Sequence, residues 1–385
     1  MAEPVLLKGI AWNHTRGFLP MVATAQRFGE THPGVEIVWQ KRSLQEFADY
    51  PIEKLAETFD LLVIDHPFAG YAAAHPALLP LDEWLPADFL ADQAANSVGV
   101  SHVSYQYGGH QWALAMDAAT PCSAHRPDLL AQHNVGIPQT WQELMELARR
   151  GLAAVPALAV DCLMHWYMFC CGLGEAPFQS AERIVSEEIG ADALEHLRAL
   201  VTACGPQCFD RNPIATYEAM TAGDALAYCP FAYTYSNYAR PGYARTQLKF
   251  GGLVALDNGQ TLGSTLGGTG LAISARCPHR EVAAAYAQYV ASPDCQRGLY
   301  FTSGGQPGHR QAWLDPAVNA ASNDFFFDTL PTLDTAYLRP RYDGYIPFQD
   351  QGGPLVQRYL RAGGDPRSTL AELERLYRGQ VSRLS

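Results

Sequence analysis

The sequence predicts an α/β protein built as two lobes, and three observations carry that expectation. At 385 residues the chain exceeds the roughly 250–300 residues that one hydrophobic core organises, so two units are expected. Short apolar runs of buried-strand type, at residues 5–11 and 59–64, each stop at a polar loop, and after the first Phe18, Val22, Ala25 and Phe28 recur at helical spacing. The hydrophobic fraction of 48% against 17% charged is that of a well-packed globular chain and excludes disorder.

Each element follows in order. The run at 5–11 ends in Trp12, Asn13, His14, Thr15 and Arg16, where a strand gives way to a helix. In α/β proteins the crevice beyond the carboxyl ends of parallel strands collects ligands, because helix N-termini there present free N–H groups. An indole, an amide, an imidazole and a guanidinium within five residues read as a recognition loop; the alternative is an ordinary turn with Trp12 in the core. His32-Pro33-Gly34 makes a turn into a strand at 35–39, and 45–57 reads as a helix around Pro51. The strand at 59–64 stops at Asp65-His66-Pro67, a second loop on the same edge of a parallel sheet. Asp65 has the alternative role of a helix cap.

Residues 78–90 suggest a surface helix-turn segment, and Tyr107-Gly108-Gly109 a turn before a strand at 112–116 that ends at Asp117. Thr140 with Glu143 three residues on is a capping box, a structural assignment. Between 153 and 171 small and apolar residues dominate, ending in Trp166, Tyr167, Met168 and Phe169, so one side is expected to face a cleft while the rest is core. An amphipathic helix follows at 187–203, a helix at 217–225 and a short strand at 225–229. Tyr228, Phe231, Tyr233, Tyr235 and Tyr238 then offer faces for stacking on a sugar or flat heterocycle, or a packed interlobe core. Gly263, Gly267, Gly268 and Gly270 punctuate 261–273 without P-loop or dinucleotide-binding spacing. A helix at 281–291, a loop at 303–307 and tail helices at 355–361 and 370–384 complete the chain.

A net charge of −12 without a long Lys/Arg run disfavours nucleic acid and anionic membrane surfaces. No apolar run approaches the roughly 20 residues of a membrane span. The twelve histidines show no metal spacing, His102 with His110 and His125 with His133 included, and no HExxH, CxxC or Gly-x-Ser-x-Gly occurs. No metal and no cofactor are expected. Nine cysteines, with Cys170-Cys171 adjacent and Cys204 close to Cys208, do not form a disulfide framework and tilt toward a reducing compartment. Residues 1–8 lack the pattern of a secretory leader, so either a leader has been removed or none existed.

The order of these motifs resembles the extracellular solute-binding proteins of ABC importers, family 1, the sugar-binding type. His32-Pro33-Gly34-Val35 is similar to the family's turn into its second strand, and residues 60–65 to its third. Tyr107-Gly108-Gly109 with 112–117 resembles the crossover, with Met116 where a proline is usual. Residues 126–130 and 136–144 resemble the helix pair entering the second lobe; 267–274, 283–292 and 304–307 with Arg310 resemble the return to the first. The matches span residues 10–377. The resemblance implies a type 2 periplasmic-binding-protein-like fold with hinge crossovers and an interlobe ligand cleft. The expected lobes are 1–115 with 264–312, and 116–263 with 313–385. The absent leader and the cysteine content depart from the family.

The resemblance implies a non-catalytic, monomeric receptor that binds a carbohydrate or similar polar ligand and serves an ABC permease if exported. It would be periplasmic if a leader has been removed, and cytoplasmic otherwise. Trp12, Trp166 and Tyr233 would wall the ligand, with Phe231 beside them, and Asn13, His14, Asp65 and Asp117 would bond hydroxyls. His66, Gly267, Gly268, Thr269 and Gly305 complete the expected set. Arg16, with His14 and His66 near it, could pair with a carboxylate or phosphate, which admits an acidic sugar; alternatively it pairs with Asp65 or caps a helix. On the ligand reading, Trp12→Ala and Arg16→Ala abolish binding and leave the unliganded melting temperature nearly unchanged. Two other functions stay open: a group-transfer enzyme with a cysteine nucleophile, as in thiaminase-like proteins, for which Cys170, Cys171 and Cys229 are candidates, and an intracellular ligand sensor.

Overall fold

The apolar run that begins at Val5 forms a strand, β1 (Val5–Trp12), in the computed structural model, which describes residues 4–44 and 51–381. It lies in a five-stranded sheet with β2 (Val35–Arg42), β3 (Leu61–Ile64), β4 (Leu114–Ala119) and, late in the chain, β8 (Gly267–Ile273), in the order β2-β1-β3-β8-β4. β1 is parallel to β2 and β3, whereas β8 is antiparallel to both β3 and β4. The carboxyl ends of β1, β3 and β4 and the start of β8 therefore share one edge of the sheet. β3 is four consecutive buried residues, the pattern of a strand covered on both faces.

Helix Thr15–Thr31 covers one face by burying Met21, Ala25 and Phe28. Its Pro20 lies inside the helix, and Thr24 Oγ1 donates to Pro20 O at 2.7 Å and meets Tyr286 OH of helix Arg280–Ala291 at 2.9 Å. These side chains join Leu7, Trp12, Met116 and Tyr300 in one hydrophobic core.

The chain divides into two compact units. The first comprises the chain up to Ala119, Gly267–Ala320 and Arg341–Asp343; the second comprises Thr120–Leu266, Ala321–Pro340 and the chain from Gly344. The first two crossings fall at 119/120 and 266/267, where the sequence suggested 115/116 and 263/264. The second unit holds an antiparallel sheet, β6-β5-β7, of β5 (Pro121–His125), β6 (Tyr228–Tyr233) and β7 (Lys249–Gly251). Its helices Ala159–Gly172, Glu187–Cys204 and Tyr345–Ala362 pack together. Gly353 permits the close approach of the first and last of these, since a Cβ there would sit 2.6 Å from Ala159 O.

Several boundaries differ from the periodicity reading. The 225–229 strand lies at Tyr228–Tyr233, which draws part of the aromatic cluster into a sheet. The 355–361 helix begins at Tyr345, because its Gly352-Gly353-Pro354 sequence, which reads as a breaker, is the tight helix contact. Of the 45–57 helix, residues 45–50 lie outside the described residues, and Ile52–Thr58 is helical after Pro51. The capping box is present: Thr140 Oγ1 accepts from Glu143 N at 3.3 Å and Glu143 Oε2 from Thr140 N at 3.1 Å. Thr140→Ala is expected to cost about 1 kcal/mol, measured as a lower urea midpoint at unchanged slope.

Candidate functional site

The shared edge of the five-stranded sheet collects the polar residues of the first unit. β1 delivers Trp12 to Arg16, β3 delivers Asp65 and His66, β4 delivers Asp117, and Gly267 to Thr269 open β8 opposite it, Thr269 pairing with Asp117 in register. Local sequence explains the first loop. His14 is the N-cap of helix Thr15–Thr31, its Nδ1 accepting from Arg16 N at 3.0 Å, which leaves the ring's proton on Nε2. Burial, with the Arg16 guanidinium beside it, lowers the His14 pKa to about 4, so the imidazole is neutral at physiological pH.

Arg16 turns inward from the first helical turn and pairs with Asp117. Its Nε donates to Asp117 Oδ2 at 2.8 Å and its Nη2 to Oδ1, a two-pronged ion pair in which Arg16 is 4% and Asp117 1% exposed. Burial pushes the Asp117 carboxyl up, while Arg16 and the Thr269 backbone N–H work in the opposite direction. Gly268, at φ 97°, lets β8 pass this close, since a Cβ there would lie 2.3 Å from Asp117 O. Two buried polar atoms nearby, Thr269 Oγ1 and Tyr300 OH, make no hydrogen bond among the described residues.

The expected site residues separate into two groups. Asn13 is exposed, and His14, Asp65, Gly267 and Gly268 are half-buried, so these present groups to solvent along the edge. Trp12 is core: it packs under helix Thr15–Thr31, where a Cβ on Gly17 would meet its ring at 2.3 Å. His66 is fully buried, 3.2 Å from Asp65 Oδ1 and edge-on to Tyr105. Gly305 is buried by close packing, a Cβ there falling 2.4 Å from the Tyr300 ring; next to it Gln306 Nε2 donates to Ala118 O at 2.8 Å. Arg16, expected to meet a ligand anion or Asp65 or to cap a helix, pairs with Asp117.

In the second unit, Trp166 and Phe231 are also corrections. Helix Ala159–Gly172 buries eleven of its fourteen residues. Trp166 is 0% exposed and its indole N–H donates to Gly190 O at 3.0 Å. Phe231 is packed between His165, at 4.6 Å, and Phe169, at 5.9 Å. Tyr233, at the end of β6, stays half-buried with its hydroxyl 3.0 Å from Thr265 Oγ1. Tyr300 was not singled out from sequence, since it sits in an apolar run without a motif.

The cysteines named as nucleophile candidates are not activated. Burial holds the Cys170 and Cys229 thiols well above their ordinary range and raises Cys171 to about 12, so none supplies a thiolate near neutral pH. Among the described residues no group of three or more His, Cys, Asp or Glu side chains is placed to hold a metal ion, and no helix is long and apolar enough to cross a membrane.

The family model of bacterial extracellular solute-binding proteins matches residues 23–325. The chain is similar to an ABC transporter solute-binding protein from Agrobacterium radiobacter K84, solved in complex with ribitol: TM-score 0.81, 19% identity, 98% of this chain and 99% of that one. It is similar also to maltose-bound MalE3 of T. maritima, with TM-score 0.81, 17% identity and coverage of 99% and 100%. A Thermotoga lettingae solute-binding protein bound with α-D-tagatose gives TM-score 0.82 and 17% identity over 98% and 100%. At these identities the likeness establishes the two-lobe α/β fold.

Proposed function

We propose a function from one premise: the chain belongs to the bacterial extracellular solute-binding proteins. On this reading it is the non-catalytic receptor of an ABC importer, works in the periplasm, and holds a neutral carbohydrate or sugar alcohol. The carrying observation is the Arg16–Asp117 pair. With the guanidinium bound to a buried carboxylate and His14 uncharged, neither side chain of the loop after β1 supplies a cation for a ligand carboxylate or phosphate. The residues along the edge of the sheet suit hydroxyls by their chemistry: the Asn13 amide, the His14 imidazole, the Asp65 carboxylate and the backbone of Gly267 and Gly268. Tyr233 remains as the aromatic candidate for stacking on a sugar ring. The ribitol, maltose and tagatose bound by the similar proteins agree with this chemistry.

A thermal-shift screen of ribitol, maltose, tagatose and glucuronate tests it. A neutral sugar or polyol at 100 times its Kd is expected to stabilise the fold by about 2.7 kcal/mol, and Asn13→Ala should remove that shift while moving unliganded stability by no more than about 0.5 kcal/mol. Stabilisation by glucuronate alone would reverse the ligand assignment.

A further inference from the structure

We propose that the first unit carries a binding site for a small organic monocarboxylate with an apolar body, in a cavity where the Arg341 guanidinium takes the carboxylate. The cavity, about 560 Å³, lies in the size range of small-molecule sites. Arg341, Asp82, Leu90, Val103 and Tyr107 are among its walls, and it shares no lining residue with the sheet edge. Every lining residue belongs to the first unit, Arg341 included, through the short segment Arg341–Asp343.

Local sequence builds these walls. Gly108 and Gly109, at φ 60° and 87°, turn a hairpin between the two-residue strands Gln106–Tyr107 and His110–Gln111. Asp82 pins the second strand, its Oδ1 accepting from Gln111 N at 2.8 Å and its Oδ2 lying 2.9 Å from His110 Nδ1. The backbone of Arg341 is fixed against helix Phe68–Ala74 at Gly70, where a Cβ would fall 1.6 Å from Arg341 O.

The guanidinium is engaged on one side only. Its Nη1 donates to Val103 O and Gln106 O, each at 2.6 Å, and to Ser104 O at 3.3 Å, and its carbon stands 5.9 Å from the centre of the Tyr107 ring. The Nε–Nη2 edge makes no hydrogen bond, and no carboxylate pairs with Arg341, among the described residues. That is the edge with which Arg16 grips Asp117, and its parallel N–H groups match the two oxygens of a carboxylate. Arg341 is half-buried, so part of the cost of drying the cation is met before an anion arrives. Asp82 brings a negative charge to the same cavity, which opposes a phosphate dianion more than a single carboxylate. Leu90, Val103 and the Tyr107 ring offer apolar surface to the rest of the molecule.

Benzoate is the probe, followed by ligand-observed NMR with the full chain at fixed salt. It is expected to bind more tightly than phosphate, which lacks the apolar body, and than benzyl alcohol, which lacks the charge. Arg341→Gln should weaken benzoate by about tenfold or more, the scale of a lost charge-assisted hydrogen bond. Because Arg341 also holds three carbonyls, Val103→Glu decides the matter if that variant fails to fold. Val103 is 45% exposed, and a carboxylate at that position competes for the same edge while leaving the three bonds in place, so benzoate should again weaken. Absence of benzoate binding, equal binding of phosphate or benzyl alcohol, or benzoate binding unchanged in Val103→Glu would overturn the proposal. Binding that survives Val103→Glu puts the acid elsewhere, the sheet edge included, which keeps this site distinct from the sugar reading.

Discussion

Arg16→Ala is expected to lower the stability of the unliganded protein by about 3–5 kcal/mol, the effect of leaving Asp117 as a buried carboxyl without its counter-charge. Removing both members costs less than removing one, because the desolvation of two charges disappears with them. A double-mutant cycle of Arg16→Met and Asp117→Leu should therefore show strong coupling, with the double variant more stable than either single one. Urea denaturation of the four proteins measures this. A loss below about 1 kcal/mol in Arg16→Ala, the range of an exposed ion pair, would mean that the guanidinium is free to meet a ligand, and an anionic ligand would return to consideration. The sequence suggested the opposite outcome, an unchanged melting temperature, because a charged residue beside Trp12, Asn13 and His14 looks like surface until its partner is known.

Trp166→Ala is expected to cost about 3–5 kcal/mol as well. The indole is fully buried, and its N–H satisfies Gly190 O across helices Ala159–Gly172 and Glu187–Cys204. Truncation leaves a large cavity and removes the bond that ties the two helices together at Gly190 O. Guanidinium denaturation with and without a binding sugar separates structure from recognition: overall stability falls while the increment added by the sugar persists. Loss of that increment with unchanged stability would make Trp166 a ligand wall after all.

How far the residues could be read depended on how local their partners are. The strand ends at Trp12 and Ile64 and the capping box at Thr140 were legible because periodicity and capping act within a few residues, whereas the strand read as stopping at Asp117 runs on to Ala119. Burial was legible only where polarity alternates. Helix Ala159–Gly172, apolar on nearly every side, carries no mark in the sequence of which face meets a neighbour, so the burial of Trp166 against helix Glu187–Cys204 was not legible. Gly305 was misread for a related reason: a glycine needed for contact with Tyr300 and one needed for a ligand look alike in sequence.

By itself the sequence determined the α/β class, the expectation of two units, the net negative charge and the loops that gather at one sheet edge. These follow from period, composition and the rule that parallel strands end together. Tertiary structure alone decided what the loop after β1 does, since Arg16 meets Asp117 across 101 positions of chain and Thr269 completes the contact from still further on. A side chain's charge is encoded locally, but whether that charge is free or neutralised depends on which distant strand lies beside it.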